Sequence, residues 1–257
     1  MQPPGRVAPA PGNCGLSFER APGPVVLVCG LHGGAGTSTL AYALAAQAAR
    51  ESPHPVLLCE SEAAAGDVAT LTAVTSDYSL SELAAERDAG RRPKGFIARH
   101  EQLRVIAGVP GPAPIVADGA ITGVVAAARA RHALTVIDAG TLRAPGTREL
   151  LQLATHVIWV TTAQPGAAQR NRTLLASPLV PALPARQLLA VRAGRRGRGP
   201  LGSHGRELRR LADDHCDRLV FIADSPGVTA TSVDLSERRV RDALTALAGF
   251  LTAGEEA

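Results

Sequence analysis

Short runs of β-branched and leucine residues alternate along the chain with Ala/Leu-rich stretches in which apolar positions recur at helical spacing. The runs predict strands at Val25–Cys29, Val56–Cys59, Leu103–Ala107, Leu134–Ile137, Val157–Thr161, Leu188–Val191 and Leu219–Ile222. Helices are expected between them, near Thr39–Arg50, Ser81–Asp88, Ile121–Arg131, Arg148–Ala154, Gly166–Ala176, Glu207–Asp214 and Glu237–Leu251. Ser79 with Glu82 three residues on has the spacing of a capping box. Strand and helix in alternation imply an α/β chain, doubly wound, with a mostly parallel sheet and helices on both faces. Residues 1–23 are proline-rich with little apolar periodicity, the pattern of a disordered arm. Residues 24–253 then form one domain and residues 254–257 a short tail.

Composition narrows the class. Of the 257 residues 46% are hydrophobic and only 3% aromatic, so the core is built from Ala, Val, Leu and Ile, as suits helices packed on a parallel sheet. The net charge of +4 is carried by arginine, because Lys94 is the only lysine. Cys14, Cys29, Cys59 and Cys216 form no CxxC pair, which argues against a disulfide framework or a zinc site. The histidines show no ligand spacing either. No signal-peptide pattern and no apolar run of membrane-spanning length is present, and a reducing, cytoplasmic setting is the expectation.

The densest chemistry follows the first apolar run, where VVLVC passes into GLHGGAGTSTLAYALA. Glycines before a helix let backbone N–H groups converge on phosphate, and the helix dipole adds to the attraction. Two other readings stay open at this point. One is an ordinary glycine turn. The other is a noncatalytic NAD(P)-binding Rossmann-like site, since Gly30, Gly34 and Gly36 fit GxxxGxG and Glu60 ends the next strand where a ribose ligand belongs. The hydride-transfer form of that reading lacks its YxxxK pair, as neither Tyr42 nor Tyr78 has a lysine four residues on.

The loop resembles the deviant phosphate loop of ParA/MinD-type P-loop NTPases, xKGGxGK[ST][ST]. Aligned on Gly33, Gly34 and Gly36, the family's two lysines fall on His32 and Thr37, its Mg²⁺-holding hydroxyl on Ser38, and a phosphate contact on Thr39. Ala35 completes the loop. The resemblance recurs downstream: PVLLCESEAAAGDVATL is similar to the second strand and first switch, with Glu60 and Glu62 where aspartates are usual. It gives Glu62 the role of positioning the attacking water. LTVIDAGTL resembles the Walker-B strand, which assigns Asp138 to the Mg²⁺ water shell and makes residues 139–141 a second switch; a turn-capping Asp is the plainer reading. In LLAVRAG the position that reads adenine is Val191, followed by Arg192. FIADSPGV is similar to the last strand and its loop beside the base.

The resemblance therefore implies a P-loop NTPase fold that binds ATP or ADP with Mg²⁺. Both cation positions have lost their charge, so binding is expected to be weak or lost and hydrolysis impaired, because the loop lysine stabilises charge on the β/γ oxygens. An active ATPase needs a substitute cation, such as Arg192 or an arginine from a dimer partner. A nucleotide-dependent homodimer is the family expectation. The stretch from Arg192 to Arg210 holds seven arginines among glycines, a charge pattern suited to nonspecific DNA or to a DNA-associated scaffold, and equally to a solvated loop. The last helix is amphipathic, but Glu255 and Glu256 follow it, so packing on the sheet is expected rather than membrane tethering.

Overall fold

A computed structural model describes residues 22–61, 67–91, 97–108, 116, 119–143, 146–193 and 203–252. The order of elements is β1 (Val25–Gly30), α1 (Thr37–Glu51), β2 (Val56–Glu60), α2 (Asp67–Thr72), α3 (Leu80–Asp88), β3 (Ala98–His100), β4 (Leu103–Ile106) and α4 (Ala120–Arg129). There follow β5 (Leu134–Thr141), α5 (Thr147–Leu153), β6 (His156–Thr162), α6 (Ala167–Leu175), β7 (Arg186–Arg192), α7 (Ser203–His215), β8 (Arg218–Ile222) and α8 (Arg238–Thr252). The eight strands form one sheet in the order β3-β4-β2-β5-β1-β6-β7-β8. All pairs are parallel except β3 with β4.

Each expected strand and helix is present, with ends shifted by a few residues. Helix α1 begins at Thr37, two residues before the expected start, and α7 begins at Ser203 rather than near Glu207. Strand β5 runs on through residues 139–141, which the resemblance assigned to a switch. A register shift between Val28 and Gly30 lets Gly30 pair with Thr141. Strand β3 and helix α2 are additions.

Alternation along β1 shows how the sheet is covered. Val26 and Val28 face the layer containing α1 and α8, while Val25, Leu27 and Cys29 face the layer of α3 to α7. Burial of both faces is why the central strands read as continuous apolar runs. Trp159 on β6 is fully buried, and its indole N–H donates to Gln187 Oε1 at 2.9 Å. Cys29 and Cys59 are buried thiols, and burial pushes both up, that of Cys59 to about 12. Helix α8 packs on the sheet through Leu247 and Phe250. Among the described residues no helix is long and apolar enough to cross a membrane.

The capping box forms as its spacing requires. Ser79 Oγ accepts the Glu82 N–H at 3.2 Å, and Glu82 Oε2 accepts the Ser79 N–H at 2.7 Å. Ser79→Ala is expected to cost about 1 kcal/mol, read as a lowered midpoint in urea with an unchanged slope.

Candidate functional site

The strand order reverses about β1, whose neighbours β5 and β6 lead to opposite halves of the sheet. The carboxyl ends of strands at such a switch point form the crevice where open α/β sheets bind ligands. The loop from Leu31 to Gly36 lies there, between β1 and α1. Gly34 and Gly36 take φ of 71° and 97°, conformations that L side chains rarely adopt. Gly36 is the N-cap of α1 and no side chain caps it, so the first helical N–H groups lack an intrahelical partner and are available to an anion.

A cavity of about 420 Å³ opens over this loop. It gathers the sequence-derived site into one place: His32, Gly33, Gly34, Ala35, Gly36, Thr37, Ser38 and Thr39 line it together with Asp138 and Arg192. Glu62 lies outside the described residues, as do 194–202 of the arginine-rich stretch. Arg206, Arg209 and Arg210 stand on α7, where the Arg209 guanidinium lies 5.8 Å from the Phe221 ring centroid.

The two residues at the lysine positions are engaged in the scaffold. His32 Nδ1 contacts Gly33 O at 2.9 Å and Nε2 contacts Thr162 Oγ1 at 3.1 Å. The Nδ1–H tautomer meets both, donating to the carbonyl and accepting from the hydroxyl. Thr37 is 7% exposed, and its Oγ1 lies 2.5 Å from where a Cβ on Gly30 would stand. Glycine at position 30 is thus required by the inward turn of Thr37.

Ser38 Oγ donates to Asp67 Oδ2 at 3.4 Å, at the start of α2. Asp138 is 1% exposed at the end of the buried part of β5, and its Oδ1 accepts the Gly140 N–H at 3.0 Å. That bond is the turn-forming role of the plainer sequence reading. It leaves Asp138 on the wall of the same cavity as Ser38. A hydroxyl and a carboxylate fit Mg²⁺, which is commonly held by one or two protein oxygens with phosphate and water completing its shell. Among the described residues no group of three or more His, Cys, Asp or Glu forms a metal cage.

Glu60, the ribose ligand of the dinucleotide reading and a family aspartate position in the resemblance, has a structural task in the fold. It pairs in register with Asp138 across β2 and β5 and is 1% exposed. Its two oxygens accept the N–H groups of Gly108 at 2.7 Å and Asp67 at 3.1 Å. The carboxylate therefore ties α2 and the segment just after β4 to the end of β2, and Glu60 also lines the loop cavity, with both its oxygens engaged by backbone donors. Burial raises its pKa from 4.5 to about 7, against the Gly108 hydrogen bond that lowers it; the charge of Asp138 adds to the rise. Asp67, in the GDVATL part of the first-switch segment, carries no role in the sequence reading.

A second cavity of about 400 Å³ adjoins the first and shares Ala35, Gly36, Thr39, Arg192 and Ala230 with it. Its walls are mainly apolar, from Leu40, Val160, Ile222 and Val240, with Asp224, Ser225 and Thr229 among the polar groups. The FIADSPGV segment lines this cavity through Ile222, Ala223, Asp224, Ser225 and Val228. Val191 does not enter it: the side chain is fully buried in the opposite core layer.

No protein-family model and no curated protein sequence matches the chain. Solved structures do. A putative plasmid partition protein from Borrelia burgdorferi B31, bound to AMPPNP, superposes with a TM-score of 0.65 at 16% identity, over 90% of this chain and 99% of that one. The septum site-determining protein MinD from Pyrococcus horikoshii OT3, complexed with Mg-ADP, gives 0.61 at 16% identity over 91% and 98%. A pNOB8 ParA bound to nonspecific DNA gives 0.60 at 15% identity over 89% and 93%. At these identities the likeness establishes architecture, and the chain has the P-loop fold of the ParA/MinD ATPases.

Proposed function

We propose that this chain is a ParA/MinD-like regulatory protein that binds ATP or ADP with Mg²⁺ and hydrolyses it poorly, a pseudo-ATPase serving partition, positioning or transfer of DNA or protein. The observation that carries the reading is the division of labour in the loop. Its positive-φ glycines, uncapped helix start, Ser38 and Asp138 keep the geometry for a Mg²⁺-nucleotide. The lysine positions instead hold His32, bound to Thr162 and Gly33, and Thr37, packed on Gly30. Bound Mg²⁺ would neutralise charge on the terminal phosphates. Ser38 and Asp138 would hold it, and the loop N–H groups would orient the phosphates. The apolar cavity beside them would take the base.

The partners that go with this reading are a second copy of the chain across the nucleotide, and DNA held nonspecifically by the stretch from Arg192 to Arg210. Titration calorimetry with ATP, ADP, GTP and NAD, with and without Mg²⁺, tests it. Mg²⁺-dependent binding of a nucleoside di- or triphosphate is expected, with turnover near background. Ser38→Ala should weaken that binding about tenfold in Mg²⁺ and little in its absence. Family-like turnover that Ser38→Ala abolishes would overturn the pseudo-ATPase reading. Mg²⁺-insensitive NAD binding lost on Glu60→Ala would replace it with the dinucleotide one.

A further inference from the structure

We propose that Arg192 supplies the phosphate-gripping cation that His32 and Thr37 do not, reaching the loop from the far end of β7. The inference rests on the nucleotide reading above and names the residue that completes it. Arg192 ends β7 in register with Thr162 of β6, so two neighbouring strand ends reach the loop, Thr162 touching His32 and Arg192 touching Gly34.

The guanidinium lies over the loop. One terminal nitrogen donates to Gly34 O at 3.2 Å, and the other would stand 3.1 Å from a Cβ built on Gly36. Gly36 therefore meets two demands, a left-handed backbone and the close approach of this side chain. Arg192 is exposed, and among the described residues no carboxylate forms an ion pair with it. It lines both cavities at their junction, the place a chain of phosphates must cross to join a base in the apolar cavity to the helix start.

A guanidinium has five N–H donors in a rigid fork. The Gly34 carbonyl takes one, and the fork matches two phosphate oxygens at once. The ligand class is a nucleoside di- or triphosphate. A purely structural brace makes a different prediction, because it would act on every ligand of the cavity alike.

The test is calorimetry of the full chain with AMP, ADP, ATP and pyrophosphate, each with Mg²⁺, on wild type, Arg192→Ala and Arg192→Lys. Circular dichroism and thermal melting check the fold, which an exposed side chain should not disturb. The expected result is a loss of about tenfold or more for ADP, ATP and pyrophosphate in Arg192→Ala, a loss under about threefold for AMP, and an intermediate Arg192→Lys. Raising salt should weaken wild-type binding more steeply than that of Arg192→Ala. Equal losses for AMP and ATP, or no loss beyond twofold while wild type binds, would overturn the assignment and leave the nucleotide reading standing. Wild type that binds none of the four would overturn both.

Discussion

On the pseudo-ATPase proposal, placing lysine at both family positions, as His32→Lys with Thr37→Lys in one chain, is expected to raise ATP turnover by about 10²- to 10³-fold over wild type. The figure is the effect of one well-aimed donor on developing charge, and the loop supplies the frame for it. Gly34 and Gly36 hold positive φ, and Ser38 and Asp138 share the cavity wall. Thr37→Lys should carry most of the gain, since that position faces the β/γ oxygens in the family pattern. The buried Thr37 site receives only the start of a lysine stem, whose flexible carbons can follow the cavity to the phosphates. His32→Lys alone should give little, because it also removes the contacts with Gly33 O and Thr162 that brace the loop. Phosphate release from Mg-ATP, with Asp138→Ala in the doubly substituted background as control, measures the gain. An unchanged rate in a folded, ATP-binding variant would overturn the proposal that the residues at the lysine positions limit hydrolysis.

The features legible in the sequence are those whose cause is local. Glycine spacing marks the loop because the backbone there needs conformations that other residues resist, and the central strands stand out because both faces of the sheet are covered. Strand β3 escapes notice because Ala-Arg-His is three residues long, polar, and only partly buried at the antiparallel edge. Helix α2 is six residues, too short to display a helical period. Strand β5 continues past Ile137 only because a register shift in β1 gives Thr141 a partner, a property of the pair and not of either segment. The site divides the same way. Residues 32–39 form one local motif, whereas Arg192 meets Gly34 across 158 positions and Glu60 meets Gly108 across 48. Nothing in local spacing reports such contacts. The sequence reading placed Arg192 after the position that reads the base and named it as a substitute cation; its contact with Gly34 is visible only in the assembled sheet.

Glu60→Gln is expected to flatten the pH dependence of folding by about 3 kcal/mol between pH 4.5 and pH 8. The carboxyl is raised to about 7 in the folded chain, chiefly by burial, against 4.5 ordinarily. Below about pH 4.5 both folded and unfolded chains hold this proton and the group contributes no pH dependence. Between the two values the folded chain keeps a proton that the unfolded chain has released. Stability contributed by this group therefore falls as pH rises through that window and levels off above about 7. Glutamine removes the titration but cannot accept from both the Gly108 and Asp67 N–H groups with its carbonyl and NH₂ ends, so it costs about 1–3 kcal/mol relative to the protonated wild-type carboxyl, an offset that does not itself change with pH. The variant should accordingly be the less stable chain at pH 4.5 and draw level with wild type, or pass it, at pH 8. Urea titrations at the two pH values decide the matter. A constant difference between the chains would mean that Glu60 is ionised throughout, held so by its two amide donors despite burial. Keeping a buried acid here has a structural reason: of the two hydrogen bonds that oppose its protonation, the one from the Asp67 N–H fixes the start of α2, and with it the Asp67 carboxylate that receives the Ser38 hydroxyl.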